Sequence, residues 1–286
     1  MTQNLRADIA VIGGSGLYRL FDPESSTSAG IETPYGSSAV TVGELAGRRV
    51  AFLARHGTDH SVAPHLINYR ANIWALASLG VRVILSSAAV GGVSPDYPPG
   101  TLVLPDQFLD RTGGRADTFF DRGSVQHLAA ADPFDPELRS IAARALAEAG
   151  ETVVETGTVV VIQGPRFSTR AESSWFRAAG AAIVNMTLYP EVPLASELNI
   201  ATVNLSFVTD RDAGLAPRPG DSSATGDEDA VSAELVFARL ADAQPRILAA
   251  LETIVRAIPR DFAPRESIAP SAVAAVLALP TRGSDA

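Results

Sequence analysis

The 286-residue chain contains no cysteine, which excludes both disulfide staples and thiolate metal sites. Basic charge is scarce too: a formal net charge of −9 argues against a nucleic-acid binder, which would present a basic face. An anionic small substrate remains compatible with that balance, because a local cationic cluster can oppose the global sign. No apolar run approaches transmembrane length. The opening Met1-Thr-Gln-Asn-Leu-Arg-Ala-Asp8 enters a strand at once and lacks the long apolar core of a signal peptide. The expectation is a soluble cytoplasmic protein with neither a membrane nor a nucleic-acid partner. Internal repeats and an interdomain linker are also missing. What is present is ordinary globular composition, 46% apolar and 19% charged, in a chain long enough for one large α/β domain or two small ones.

The chain is organised around residues 158–212. An apolar run, Thr158-Val-Val-Val-Ile162, passes into Gln163-Gly-Pro-Arg-Phe-Ser-Thr-Arg-Ala-Glu172. Val184-Asn-Met-Thr-Leu-Tyr-Pro-Glu191 follows, and Ser206-Phe-Val-Thr-Asp-Arg-Asp-Ala-Gly214 closes the stretch. Its polar residues sit just past strand-like runs, where α/β folds place their ligands. Upstream, Asp8-Ile-Ala-Val-Ile12 reads as a buried strand that stops at Gly13-Gly-Ser-Gly16. A dinucleotide fingerprint does not fit, since Arg19 stands at the third glycine position. The turn either offers backbone N–H groups and the Ser15 hydroxyl to an oxyanion, or supplies only positive φ.

Strands at 39–42 and 49–53, joined by Glu44-Leu-Ala-Gly47, lead into Ala54-Arg-His-Gly57. Arg55 and His56 suit phosphate as a planar fork and a donor, or Arg55 is a solvated surface charge. Asp59, His60 and His65 lie close behind, but no further convergent ligand set points to zinc. Residues 68–79 have helical spacing closed by Gly80, and 81–85 form the next buried strand. Small residues follow it in Ser86-Ser-Ala-Ala-Val-Gly-Gly92; they permit close approach of either a ligand or a helix. Further strands are expected at 101–105, 152–162, 183–186 and 200–209, and helices at 136–150, 171–180 and 191–198. A helix at 230–258 should be broken or kinked at Pro245. The segment 215–229 reads as a flexible loop, 260–286 as a peripheral tail with one short helix, and 281–286 as frayed. Strands alternating with helices throughout mean a single α/β domain, residues 1–286, with a central mixed β-sheet flanked by helices.

Five blocks stand in register over about residues 8–214. They are Ile12-Gly-Gly-Ser-Gly-Leu17; Leu53-Ala-Arg-His-Gly57 with Asn68-Tyr-Arg-Ala-Asn-Ile-Trp-Ala-Leu76; Asp106-Gln-Phe-Leu-Asp-Arg-Thr112; the 163–172 block; and Asn185-Met-Thr187 with Pro190-Glu191. Together they resemble the trimeric purine nucleoside phosphorylases, and within them the 5′-methylthioadenosine phosphorylases. The resemblance implies a nucleoside phosphorylase-like fold, a homotrimer, no metal or organic cofactor, and inorganic phosphate as co-substrate. The implied reaction is phosphorolysis of S-methyl-5′-thioadenosine to adenine and 5-methylthioribose 1-phosphate. Alternatives with the same features are a phosphorylase for 5′-halo-5′-deoxyadenosine and one for 6-oxopurine nucleosides or methylthioinosine.

By the same resemblance Ser15, Arg55, His56, the backbone around Ala89, and Thr187 bind phosphate. Met186 lies against the ribose, Phe167 stacks on the base and Ser168 flanks it through its backbone. His60, Ala233, Val236 and Phe237 line the 5′ pocket, with His127 entering from a neighbouring subunit; apolar helix residues there are equally explained by core packing. A purine leaves more easily when N7 is protonated by a carboxyl group whose pKa burial has raised. Asp210 is the expected N7 acid and Asp212 its partner near the 6-amino group, a pairing that favours adenine; capping of the following Gly/Pro loop is the plainer role for both. Three features depart from the family pattern: Ala88 where relatives often carry a hydroxyl, the longer loop 215–229, and Leu188-Tyr189 with Pro193 beside the ribose.

Overall fold

The computed structural model describes residues 5–215 and 231–281. Buried runs of branched residues build its strands: β1 (Ile9–Gly13), β2 (Thr27–Thr33), β3 (Gly36–Leu45), β4 (Arg48–Ala54), β5 (Val83–Gly92) and β6 (Leu102–Val103). The remaining strands are β7 (Gln107–Arg111), β8 (Val153–Val154), β9 (Thr158–Ile162), β10 (Ile183–Asn185) and β11 (Ala201–Arg211). The helices are α1 (Tyr69–Ser78), α2 (Pro136–Glu148), α3 (Arg170–Ala178), α4 (Leu188–Glu197), α5 (Ala233–Ala257) and α6 (Pro270–Leu277). Side chains satisfy the first free N–H groups of most of these helices. Asn68, Asp135 and Ser232 accept from Ala71, Leu138 and Leu235, and Thr169 with Glu172 makes a reciprocal capping box on α3.

All the strands described join one mixed sheet, with main path β2-β3-β4-β1-β5-β10-β9-β7. Alternation along its strands feeds two apolar layers. Val11, Phe52 and Leu85 face α2 and α5 through Leu138, Leu146, Ile247 and Leu251. Ile12, Leu53 and Ile84 face α1 and α4 through Ile73, Leu76 and Leu194. The expected α/β class with a mixed sheet between helices is what forms. Residues 260–281 are stitched to this body: Arg82 donates to the Phe262 carbonyl and Trp74 to that of Val276, while Asn199 bonds Ser267 and Ile268. Most of the 215–229 loop and of the frayed end at 281–286 lies outside the described residues.

Five elements differ from expectation. The strand before the small-residue run does not stop at Leu85 but continues through Gly92, because β11 pairs with β5 along its whole length. Residues 152–162 divide into β8 and β9, which bond to different neighbours. No strand was expected at β2, a Ser/Thr/Gly stretch that is mostly exposed and held as a hairpin partner of β3. The Gln107–Arg111 segment is likewise a strand, pairing with β9. Finally, α5 runs unbroken through Pro245, since Leu240, Ala243, Ile247, Leu251 and Ile254 keep both halves on the core.

Candidate active site

The site exists because β5 changes partners. Its first residues pair with β1 as far as Ile12 opposite Ser86, and its last two pair with β10, Val184 opposite Gly91. Between those contacts residues 87–90 have β11 on one edge and no strand on the other. A cavity of about 280 Å³ opens along that free edge, with Ala88, Ala89, Val90 and Gly91 on its floor. An exposed strand edge offers backbone donors and acceptors to a ligand.

At one end stand the residues expected to hold phosphate. Ser15 comes from the turn after β1, Arg55 and His56 from the end of β4, and Thr187 from the turn after β10; all line the cavity. Gly14 is required there by close approach, since a Cβ would lie 2.5 Å from the Ser87 carbonyl oxygen. The Gly14 N–H donates to Ser87 Oγ at 3.3 Å, fixing the turn against β5. Arg55 is 3% exposed and already engaged: Nε and Nη2 donate to the two Glu191 oxygens at 2.6 and 2.7 Å, and Nη1 donates to the Ser87 carbonyl at 3.1 Å. Arg55 is therefore not a solvated surface charge. His56 Nδ1 donates to the Val62 carbonyl at 2.9 Å, so the ring is held with Nε2 as its second polar atom. Burial, with Arg55 next to it, pushes the His56 pKa down from 6.5 to about 4, leaving a neutral ring.

At the other end, a register shift between Val208 and Asp210 interrupts β11. A bulge of this kind re-aims the residues after it, and here Asp210 turns over Gly91, where a Cβ would lie 3.1 Å from its carboxylate. The Thr209 hydroxyl lies 2.6 Å from Asp210 Oδ1 and 3.2 Å from the Val90 carbonyl. Asp212, just past the strand, is anchored by its N–H donating to the Gly92 carbonyl at 2.9 Å. Both acids are buried and line the cavity, while most of the Gly/Pro loop that they were alternatively expected to cap lies outside the described residues. Burial raises the Asp212 pKa, opposed by hydrogen bonds from Ser173 and the Ala213 N–H. Ser168 Oγ and Asp212 Oδ2 are buried polar atoms close to one another, suited to a ligand. Phe167, 40% exposed, forms the rim above them.

The third side of the cavity is apolar. Met186, Ala233, Val236 and Phe237 line it together with His60, so Val236 is a cavity residue as well as a partner of the adjacent core. His60 packs edge-on against Phe237 at 5.3 Å between centroids and lies 4.7 Å from the His56 ring. Its Nδ1 is 3.1 Å from the Tyr18 hydroxyl. His127 and His65 are exposed and do not line the cavity of this chain. Leu188 and Tyr189 are not beside it either; Leu188 is core, and Tyr189 packs on Phe108 while its hydroxyl donates to Asp117. Among the described residues no group of three His, Asp or Glu side chains is placed to hold a metal.

Sequence reasoning passed over four contributors. Glu191 stood in a quoted block, but only the fold shows it closing on Arg55 across 136 positions. Asn185 likewise opened a quoted block without being given a role, although its Nδ2 is buried without a partner among the described residues and it lines the cavity. Thr209 and Tyr18 carry no signal beyond adjacency to a recognised residue.

Comparison with known proteins places the chain among relatives of known family. The profile of the phosphorylase superfamily matches residues 8–251. A purine nucleoside phosphorylase of Streptomyces coelicolor is 48% identical over 232 residues, covering 78% of this chain and 82% of the relative. An S-methyl-5′-thioadenosine phosphorylase of Mycolicibacterium smegmatis is 52% identical over 209 residues, covering 72% and 78%. Among solved structures, a methylthioadenosine phosphorylase of Schistosoma mansoni in complex with adenine superposes with a TM-score of 0.80 at 32% identity, covering 87% of this chain and 91% of that one.

Proposed function

Since the chain belongs to the phosphorylase superfamily, we propose that it cleaves S-methyl-5′-thioadenosine with inorganic phosphate, giving adenine and 5-methylthioribose 1-phosphate. The observation that carries this reading is the buried pair Asp210 and Asp212 at the end of the cavity opposite Arg55 and His56. That spacing suits a nucleoside lying between an anion and two acids.

In the proposed reaction a phosphate oxygen bonds to C1′ as the C1′–N9 bond breaks, and the bonding pair leaves with the purine. The transition state has oxocarbenium character, so catalysis rests on an anion held below the sugar and on neutralising charge that grows on the base. Ser15, His56, Thr187, the Ala89 backbone and the Arg55 guanidinium hold phosphate. Asp210 gives its proton to N7, with the Thr209 hydroxyl positioning the carboxyl group, and Asp212 accepts from the 6-amino group. An inosine-type base lacks that amino donor, which makes it the poorer substrate. Phe167 stacks on the base and Ser168 bounds it. Met186 lies against the ribose, while His60, Val236 and Phe237 take an uncharged 5′ substituent. This apolar side accommodates methylthio and, as a second reading, a 5′-halogen.

His127 completes the site from a neighbouring subunit of a homotrimer. The enzyme works in the cytoplasm without metal or organic cofactor. No described helix is long and apolar enough to cross a membrane. Release of free base from S-methyl-5′-thioadenosine, adenosine, inosine and 5′-chloro-5′-deoxyadenosine, each with and without phosphate, tests the proposal. Phosphate-dependent adenine release fastest from the methylthio compound supports it. Faster release from the chloro compound selects the second reading, and preference for inosine refutes the acid-pair argument.

A further inference from the structure

Among the described residues, the end of the cavity assigned to phosphate has no net positive charge to offer. Arg55 is the sole arginine among the described residues lining the cavity, and the chain has no lysine. Its charge is matched at short range by Glu191, bidentate at 2.6 and 2.7 Å, with the two side chains 1% and 4% exposed. Such a pair behaves as one neutral unit toward a third charge. The other ionisable groups around His56 do not alter the balance. His60 faces it from the following turn, Tyr69 of α1 lies against Arg55 and Glu191, and Tyr18 is across His60. Asp210 and Asp212 on β11 line the far end of the same cavity.

His56 then decides which anion fits. Val62 offers only a carbonyl, so Nδ1 must carry the proton that is donated to it. Nε2 makes no hydrogen bond to any described residue, and the ring lines the cavity. A neutral ring held in this tautomer presents a lone pair, and a lone pair repels a fully deprotonated oxyanion but accepts from a P–OH group. The low pKa of His56, from burial and from Arg55, agrees with that state.

We propose that the site binds its oxyanion together with one proton, held between the anion and His56 Nε2, and so selects phosphate over anions that bring no proton, such as sulfate. Phosphate meets the requirement by itself: the monoanion and the dianion both keep a P–OH group, which donates to the lone pair of neutral His56. Sulfate brings no proton at neutral pH, and must charge a buried imidazole to be held. Discrimination by an acceptor that the wrong ligand leaves unmatched follows the general rule for buried polar groups.

The inference rests on the phosphorolytic reading, and the test separates the two. Titration calorimetry of the wild-type protein with inorganic phosphate and with sodium sulfate, in buffers of different ionisation heat, counts protons taken up on binding. At about pH 8 phosphate is expected to bind with no net proton uptake, because the dianion brings its own P–OH, and sulfate with the uptake of near one proton. Sulfate affinity should weaken about tenfold per pH unit through the neutral range, whereas phosphate affinity should not weaken there. In Glu191→Gln, which frees the Arg55 charge, sulfate should tighten relative to phosphate and the proton uptake that accompanies sulfate should fall toward zero. A merely structural Glu191 would weaken both anions alike. Sulfate binding without proton uptake in the wild type, or sulfate binding as tight as phosphate and independent of pH, overturns the proposal even if turnover proves phosphate-dependent. Turnover that needs no phosphate would overturn the functional reading as well.

Discussion

Glu191→Ala isolates what the Arg55 pair does for the folded state. The substitution removes both oxygens that accept from Arg55 Nε and Nη2 and leaves the guanidinium, 3% exposed, with the Ser87 carbonyl as its remaining hydrogen-bond partner. Breaking one side of a buried ion pair typically costs about 3–5 kcal/mol, because the surviving charge is uncompensated in a low-dielectric interior. Against a total stability of about 5–15 kcal/mol for a folded domain, that is a large fraction. Urea unfolding at fixed protein concentration, with and without phosphate, measures it. The variant should lose stability in that range and regain more of it than the wild type on adding phosphate, since the anion then neutralises a bare cation. Arg55→Met with Glu191→Leu should restore stability, because an apolar pair of similar volume removes the desolvation penalty, while phosphate-dependent turnover is lost. A single variant within about 0.5 kcal/mol of the wild type, the range of ordinary surface changes, would refute the argument that Arg55 stays buried and charged.

Other expectations follow from the same geometry. Asp210→Asn should lower kcat by about 10²- to 10⁴-fold, the usual range for a positioned acid, with little change in the KM for phosphate; near-normal turnover of adenine nucleosides would remove Asp210 from the mechanism. Asp212, whose folded pKa is raised by burial, contributes stability below its ordinary value of 3.8 and loses it as pH rises through the folded value. Asp212→Asn should therefore raise Tm at neutral pH and not in acid, while weakening adenine binding, and an unchanged Tm at neutral pH contradicts this. His56, with its folded pKa lowered to about 4, makes the fold less stable as pH falls from 6.5 toward that value, because the unfolded chain takes the proton first. His56→Asn should flatten that limb of a Tm-versus-pH curve. Phe237→Ala removes a ring packed edge-on against His60 and should raise the KM for the methylthio substrate roughly tenfold, from a loss of about 1–2 kcal/mol of apolar contact. The KM for phosphate should not move, and a change there would place Phe237 elsewhere.

Much of the molecule was legible in one dimension. Apolar runs such as Ile9–Gly13 and Thr158–Ile162 and amphipathic segments such as Pro136–Glu148 identify their own elements, because burial of one face or both is written into residue spacing. Short-range devices are equally local: the Asn68 and Asp135 caps and the Thr169/Glu172 box each act within three residues. The residues expected at the anion and base ends, from Ser15 to Asp212, do meet around one cavity, and the sequence blocks named them by residue type.

Other features have no local signature, because they depend on partners far away in the chain. Whether Ser86-Ser-Ala-Ala-Val-Gly-Gly92 ends a strand or continues one was settled by β11, more than a hundred residues later. The exposed edge at residues 87–90, and with it the cavity, follows from β1 stopping where it does and β10 arriving beyond it. The bulge that turns Asp210 over Gly91 is a register relation between two strands, visible in neither alone. Arg55 is the plainest case. The sequence by itself determined that a guanidinium follows β4, as a phosphate fork or a solvated charge. Only the tertiary structure set Glu191 against its Nε and Nη2, a pairing across 136 positions that matches the Arg55 charge. Local residue order sets what a side chain can donate or accept. Its effective charge depends on what the fold packs against it.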